Sequence, residues 1–225
     1  MSQPACIVIS VAVNGFDNDQ RCQFLVFDVE TTGLGNYCKV VEFAALILDP
    51  NGTPTGSYET LVDPGANPGP TRIHGITASM LVGAPSFRDV AGDVQRLFRG
   101  RVPVAHNLRF DWTALRNGFD PLGVELPAWS NGICTARLSR RVFPGVASLT
   151  ALCRRLGIDY PMPHRAGPDV AATAAVLQAV RSVEPKLLQG RPCQPFTGFW
   201  KLPLSVPPLP RAAVVCVTSE KGAFR

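Results

Sequence analysis

The chain has 225 residues, of which 46% are apolar and 17% are charged, and its net charge is +5. These proportions are those of a globular protein, and they exclude a disordered, highly charged chain. The length suits one domain, since single domains commonly hold about 100–200 residues. The longest apolar run near the start, at residues 5–13, is too short to cross a bilayer and has no preceding positive charge, so we expect a cytoplasmic protein.

Positive charge is concentrated in the last part of the chain. Residues 1–184 carry 16 basic and 16 acidic side chains, whereas residues 185–225 carry six basic side chains and one acidic side chain. Within the balanced part, residues 1–130 sum to −4 and residues 131–184 to +4. A basic surface beside an acidic one favours a phosphate-rich partner held near a cation site. On charge alone, a solvated surface without a partner explains the pattern equally well.

The first predicted elements are three strands. Short apolar runs typical of buried strands cover residues 24–28 and 40–48. A Pro-Asn-Gly turn at 50–52 then leads to a third strand at 58–62. These three strands would form a meander.

Helices and strands alternate after the meander. Ser86 is predicted to cap a helix whose apolar positions recur at helical spacing as far as Gly100, and a short strand follows at 102–105. The remaining predicted helices cover residues 110–117, 135–142, 148–156 with Gly157 as C-cap, and 168–183. This order predicts an α/β fold with a mixed sheet.

The end of the chain is rich in proline. Residues 185–225 hold seven prolines in 41 positions, which prevents a compact helical continuation. We expect a basic tail that serves as a linker or docking arm, in which residues 212–217 could add one strand. Its aromatic residues could anchor it in the groove of a polymerase or another protein, although its charge suits nucleic acid phosphates equally well. These aromatic residues are Phe196, Phe199 and Trp200.

Two carboxylates stand two positions apart at the end of the first strand. Asp28 and Glu30 lie in the stretch FDVETTGL, and side chains at positions i and i+2 of a strand point to the same face. Converging carboxylates repel each other unless one keeps a proton or a cation bridges them, and Mg²⁺ and Mn²⁺ prefer such oxygen ligands. By itself, this pair is more often a solvent-exposed strand end than a metal site.

Two further acidic residues stand at the starts of predicted helices. Asp111, in the stretch HNLRFDW, follows directly after the strand at 102–105, and α/β sheets place ligands at the carboxyl edges of strands. Asp169 begins the last helix, where the helix dipole favours an anion without requiring catalysis. Each of the two is by itself more often a helix cap than a metal ligand.

Taken together, three stretches resemble the motifs of the DEDDh family of 3′→5′ exonucleases, and most closely the group of the proofreading epsilon subunit of bacterial DNA polymerase III. The stretches are FDVETTGL, HNLRFDW and HRAGPDVAATAAVL. Asp28 and Glu30 match the first motif, and Asp111 matches the second. His164 and Asp169 match the third at the family's spacing. One D-x-E pair is a weak signal, whereas all five residues in this order are a specific one.

The resemblance covers about residues 23–182 and implies a ribonuclease H-like fold, with a mixed five-stranded sheet flanked by helices. It also implies stepwise release of nucleoside 5′-monophosphates from a 3′ end, in proofreading or repair. The four carboxylates would hold two Mg²⁺ or Mn²⁺ ions about 3.5–4 Å apart. His164, whose side-chain type has a usual pKa of about 6.5, would accept a proton from the attacking water. We therefore expect an N-terminal extension over residues 1–22 that could add a strand, an exonuclease domain over 23–184 and a tail over 185–225.

The resemblance further implies contacts with a nucleic acid 3′ end, foremost that of single-stranded DNA. Thr31 and Thr32 would line the site, with amides and hydroxyls near the terminal sugar and phosphate. Leu34 would lie against a base. His74 and Asn107 match family positions near the nucleotide, although a core or capping role explains each of them equally well.

One departure from the family pattern lies between the histidine and the aspartate of the third motif. The sequence there is Gly167-Pro168, and we expect it to delay the start of the last helix to Pro168. His164 would then lie on a flexible loop.

Two alternatives remain open on the sequence. An RNA 3′ exonuclease like ribonuclease T or oligoribonuclease would share the five residues, although the stretch DVETTGL favours the polymerase-associated group. A noncatalytic nucleic-acid or polymerase docking module could keep the fold. The intact set of five residues argues against such a module, because it would be free to lose them.

Overall fold

The structure is a computed structural model and describes residues 23–129, 132–146 and 148–187. The expected N-terminal extension and the tail beyond residue 187, with its predicted strand at 212–217, lie outside these residues. In the part of the chain that is described, no helix is long and apolar enough to cross a membrane.

A mixed sheet of five strands lies at the centre of the described residues. Its strands are β1 (Gln23–Thr31), β2 (Val40–Leu48), β3 (Pro54–Leu61), β4 (Arg101–Ala105) and β5 (Ile133–Cys134). They stand in the order β3-β2-β1-β4-β5. The first three form the predicted antiparallel meander, β4 is parallel to β1, and β5 is parallel to β4. The α/β fold with a mixed five-stranded sheet is thereby confirmed.

Helices cover both faces of this sheet. The described helices are α1 (Thr71–His74), α2 (Phe87–Phe98), α3 (Leu108–Phe119), α4 (Thr135–Val142), α5 (Leu149–Leu156) and α6 (Ala166–Val183). Short 3-10 turns cover Ala78–Leu81, Asp120–Leu122 and Pro185–Leu187.

Local capping signals fix several helix ends where the sequence predicts them. The amide of Ser86 donates a hydrogen bond to Asp89 Oδ2 at 2.9 Å, which completes a capping box at the start of α2. Ser148 Oγ accepts from the amide of Ala151 at 3.2 Å and starts α5. Gly157 ends α5 in the left-handed region that favours glycine, with φ at 67°.

The start of α6 differs from the prediction. The helix begins at Ala166 rather than Pro168, and the amide of Asp169 makes the first bond of the helix, to the carbonyl of Arg165 at 2.9 Å. Pro168 therefore occupies a first-turn position, where an amide has no partner within the helix and its absence costs nothing. Proline at this place does not delay the helix.

Two apolar cores lie on opposite faces of the sheet, and β1 contributes to both. Leu25, Phe27 and Val29 pack in the core beneath α2 and α3. Val26 faces the other core, which α4, α5 and α6 cover. Because side chains alternate along a strand, residues 28 and 30 lie on the α6 side of the sheet.

Candidate active site

Asp28 and Glu30 lie near the carboxyl end of β1, the central strand. They are opposite Ala44 and Glu42 of β2, and the strand register shifts directly after Glu30. One carboxylate oxygen from each, together with one from Asp169 at the start of α6, forms a group whose members all lie within 4.8 Å of one another. The structure thus brings together three of the four predicted metal ligands.

Asp111 approaches the same place from the first turn of α3. Its side chain is 2% exposed, and Oδ1 accepts a hydrogen bond from the amide of Val29 at 3.3 Å. This contact holds the carboxylate against the backbone between Asp28 and Glu30. The negative charge of Asp111 raises the pKa of Asp28, so the fourth carboxylate belongs to the same electrostatic group.

These carboxylates ionise with difficulty when no cation is bound. Burial raises the pKa of Asp28 well above its usual range, and the nearby charges of Asp111 and Asp169 raise it further. Burial, followed by the charge of Asp169, raises the pKa of Glu30 to about 8. Burial also raises the pKa of Asp111 to about 7. Protons or a cation must offset the repulsion, and a set of converging carboxylate oxygens fits a hard divalent ion such as Mg²⁺ or Mn²⁺.

Asp169 is held by two donors from the loop that precedes α6. The hydroxyl of Tyr160 donates to Asp169 Oδ1 at 2.5 Å, and the amide of His164 donates to the same oxygen at 3.1 Å. Burial raises the pKa of Asp169, while these hydrogen bonds lower it. Neither the sequence motifs nor the periodicity marked Tyr160.

His164 has an unusual backbone conformation for its residue type. With φ at 64° it is the one non-glycine residue of the described chain that adopts a positive φ. This conformation directs its amide to Asp169, whereas its side chain is exposed beside the carboxylates. The loop that carries His164 is therefore tied to α6 through Asp169.

A buried ion pair that the sequence interpretation missed anchors the other end of this loop. Glu42 of β2 is 1% exposed. It accepts hydrogen bonds from Arg165, at 3.1 Å from Nε and 2.6 Å from the terminal nitrogen, and from the amide of Ala166 at 2.9 Å. A single acidic residue inside the apolar run of β2 was the available signal, because a buried carboxylate requires a partner.

The same region explains the departure at Gly167. A Cβ atom added there would lie 2.6 Å from Glu59 Oε2, so a larger residue would push against the carboxylate. Glu59 lies on β3, which places it behind α6 rather than in the carboxylate cluster. A larger side chain at this position would require the Glu59 carboxylate to move aside.

The turn after β1 uses its threonine hydroxyls internally. Thr31 Oγ1 donates to the carbonyl of Gly33 at 2.8 Å, and Thr32 Oγ1 accepts from the amide of Lys39 at 3.0 Å. Gly69, with φ at 92°, packs so closely that a Cβ atom would lie 2.2 Å from the Thr32 carbonyl oxygen. Leu34 is 91% exposed at the tip. Substrate contacts of Thr31, Thr32 and Leu34 stay predictions.

Of the last two predicted substrate-binding residues, His74 is buried and Asn107 is exposed. His74 is 2% exposed in α1, and its Nδ1 accepts from the amide of Ile76 at 3.0 Å. This burial favours the core role that the sequence left open. Asn107 is exposed at the N-cap of α3, four residues before Asp111, so it lies on the surface close to the carboxylates.

The sequence matches the family model described as Exonuclease over residues 25–177, which is more than half of the chain. The chain belongs to the exonuclease family. It is 36% identical over 160 residues to the DNA polymerase III PolC-type protein of Halalkalibacterium halodurans, a match that covers 69% of this chain and 11% of the relative. A PolC-type protein of Staphylococcus aureus is 35% identical over 158 residues, with 68% and 11% covered. The chain of this exonuclease-family protein thus spans about 11% of the length of these relatives.

Solved nuclease structures share the fold. Exonuclease I of E. coli in complex with a dT13 oligonucleotide gives a TM-score of 0.66 at 24% identity, and the match covers 74% of this chain and 42% of that one. Exonuclease X in complex with 5′ overhanging duplex DNA gives a TM-score of 0.56 at 27% identity, with 72% and 93% covered. The expected ribonuclease H-like fold is confirmed.

Proposed function

We propose that residues 23–184 form a divalent-metal-dependent 3′→5′ exonuclease that releases nucleoside 5′-monophosphates from DNA 3′ ends, in proofreading or repair. The observation that carries the proposal is the group of three carboxylates within 4.8 Å of one another, with Asp111 held beside it, in a member of the exonuclease family. The PolC-type relatives and the DNA complexes of exonucleases I and X support DNA as the substrate.

The residues of the chain would share the work of hydrolysis. Bound divalent ions would neutralise charge on the phosphoryl group and stabilise the leaving 3′ oxygen. Asp28, Glu30, Asp111 and Asp169 would hold these ions, in positions fixed by β1, α3 and α6. His164 would accept the proton of the attacking water at a ring nitrogen. Its exposed side chain gives it access to water, and the hydrogen bond from its backbone amide to Asp169 keeps it beside the carboxylates.

A basic surface on the α4–α5 side of the sheet supports a phosphate-rich substrate. Residues 132–158 include no acidic side chain and five arginines, and all five are exposed. No ion pair within the described residues involves any of them. The loop that carries His164 follows α5 directly. A nucleic acid strand that leaves the site on this side would therefore contact the five arginines. These arginines are Arg137, Arg140, Arg141, Arg154 and Arg155.

The experiment that tests the proposal follows the products from DNA and RNA oligonucleotides labelled at the 3′ or the 5′ end, with Mg²⁺ or Mn²⁺ and with chelator. We expect labelled 5′-monophosphate as the first product of 3′-labelled DNA, and a ladder that shortens from the 3′ end in 5′-labelled DNA. Hydrolysis of RNA alone would favour the ribonuclease alternative. Binding without hydrolysis would favour the docking module, and Asp111→Ala gives the inactive control.

A further inference from the structure

We propose that Tyr160 is a positioning residue that sets the orientation of the Asp169 carboxylate for cation binding. The inference deepens the proposed function and rests on it for the reaction, while the contact itself is structural. Tyr160 precedes Asp169 by nine residues and lies on the loop after α5.

The two hydrogen bonds at Asp169 converge on one oxygen atom. Oδ1 accepts from the Tyr160 hydroxyl at 2.5 Å and from the His164 amide at 3.1 Å. The other carboxylate oxygen, Oδ2, carries neither of these bonds. Rotation of the carboxylate would break both hydrogen bonds together. The two donors therefore hold Oδ1 and leave Oδ2 available for an ion.

Tyr160 is itself held in place by the fold. Its ring packs against the apolar core beneath α4, α5 and α6. The chain enters the loop through Gly157 in the left-handed region, and the amide of Ile158 donates to the carbonyl of Cys153 at 2.9 Å. The packed ring and the capped end of α5 thus hold the Tyr160 hydroxyl in a fixed position.

The chemistry of the donor suits a cation site. Asp169 lies within 4.8 Å of Asp28 and Glu30, and their repulsion would turn an unrestrained carboxylate away from the group. A lysine or arginine could restrain it, but its positive charge would compete with the metal ion. A neutral hydroxyl restrains the carboxylate and leaves the negative charge available. Such partners of metal ligands typically change affinity or activity by about 10–100-fold.

The test compares Tyr160→Phe with the wild-type full-length chain, because phenylalanine keeps the packed ring and removes the donor. We expect Mn²⁺ affinity, measured by calorimetry without substrate, to fall about tenfold. We expect kcat on a DNA oligonucleotide to fall about 10–100-fold with KM nearly unchanged. Tyr37→Phe is the matched control, since that tyrosine is 95% exposed and should change neither quantity.

A double-mutant cycle shows whether Tyr160 acts through Asp169. In an Asp169→Ala background, which removes the acceptor, Tyr160→Phe should produce no further loss of Mn²⁺ affinity. Equal losses in both backgrounds, or unchanged affinity and kcat in the single variant, would overturn the proposal. If Tyr160→Phe does not fold, the tyrosine absorbance of the wild-type chain decides. Mn²⁺ should perturb this absorbance equally in the wild type, Tyr37→Phe and Tyr58→Phe, which leaves Tyr160 as its source. Mn²⁺ binding without hydrolysis by the wild type would defeat the proposed function alone.

Discussion

The two sides of the carboxylate group are built in different ways. Asp28 and Glu30 project from the central strand. Asp111 projects from the first turn of α3 and accepts from the amide of Val29, so regular elements position all three. His164 and Asp169 lie where a loop meets α6, and their positions depend on the hydrogen bonds that the Tyr160 hydroxyl and the His164 amide donate to the Asp169 carboxylate. The first side follows from strand and helix geometry, whereas the second depends on hydrogen bonds made by an irregular loop.

The loop side depends on one local anchor and one long-range anchor. Tyr160 and the His164 amide bind Asp169, and Glu42 of β2 binds Arg165 directly after His164. The positive φ of His164 is maintained between these anchors, since a strained backbone persists only where its surroundings determine it. We therefore expect that the predicted metal ligands on β1 can be replaced with little effect on the fold, whereas a substitution at an anchor changes both the stability and the site.

The largest effect is expected on the strand side. Asp28→Ala or Asp111→Ala should abolish hydrolysis, because each removes a predicted metal ligand. Without metal, either variant should be as stable as the wild type or slightly more stable, because repulsion between buried carboxylates is relieved. Rates of hydrolysis and urea unfolding in chelator measure the two effects. Asp120→Ala, on the exposed turn after α3, serves as control, and near wild-type rates in either site variant would contradict the two-metal interpretation.

A large but incomplete loss is expected on the loop side. His164→Ala should lower the hydrolysis rate by about 10²–10⁴-fold, the usual contribution of a general base, and leave DNA binding nearly unchanged. The part of the pH–rate profile that depends on the general base should disappear. Met162→Ala, which removes an exposed side chain of the same loop, gives the control. A pH–rate profile identical to that of the wild type would show that His164 is not the proton acceptor.

A smaller effect, on the fold itself, is expected at the anchor in β2. Glu42→Gln should lower the free energy of unfolding by about 3 kcal/mol, because one partner of a buried ion pair is removed. Asp93→Asn is the matched comparison, since it breaks an exposed ion pair with Arg96 and should cost less than about 1 kcal/mol. Urea unfolding measures both. Equal small losses would mean that the loop has no need of this anchor.

The last effect, which appears only without metal, is a pH dependence of the free energy of unfolding. Glu30 has a pKa of about 8 in the folded state, against about 4.3 in an unfolded chain. Between these values the folded state binds more protons, so the free energy of unfolding should fall as pH rises from about 5 to 8. Thermal unfolding in chelator should show this slope, and Mg²⁺ should reverse it. Glu30→Gln should flatten the slope, and an unchanged slope in that variant would assign it to other groups.

The parts of the fold that local sequence determines were predicted well. The β2 bounds and the capping residues Ser86 and Gly157 agree with the structure, because apolar runs and caps act within a few residues. β3 begins four residues before its predicted start, since its first half is polar and leaves no apolar run. β5 has two residues, which is too short for a pattern.

The same division applies to the site. Strand alternation alone placed Asp28 and Glu30 on one face, and the structure has them together. Tyr160 and Arg165 were missed because their partners, Asp169 and Glu42, are chosen by tertiary contact rather than by spacing. The prediction that Pro168 delays the start of α6 is wrong, because proline is tolerated wherever its missing amide would have no partner within the helix.

The order of the elements means that the site is completed only after α6 has been made. β1, β2 and β3 are consecutive and can pair soon after they emerge, and chains generally fold from the N-terminus as they are made. Asp28 and Asp169, however, are separated by more than half of the chain. A nascent chain that has not yet released α6 therefore holds Asp28, Glu30 and Asp111 without Asp169. If the proposed function is correct, the growing polypeptide cannot hydrolyse nearby nucleic acid until α6 has docked.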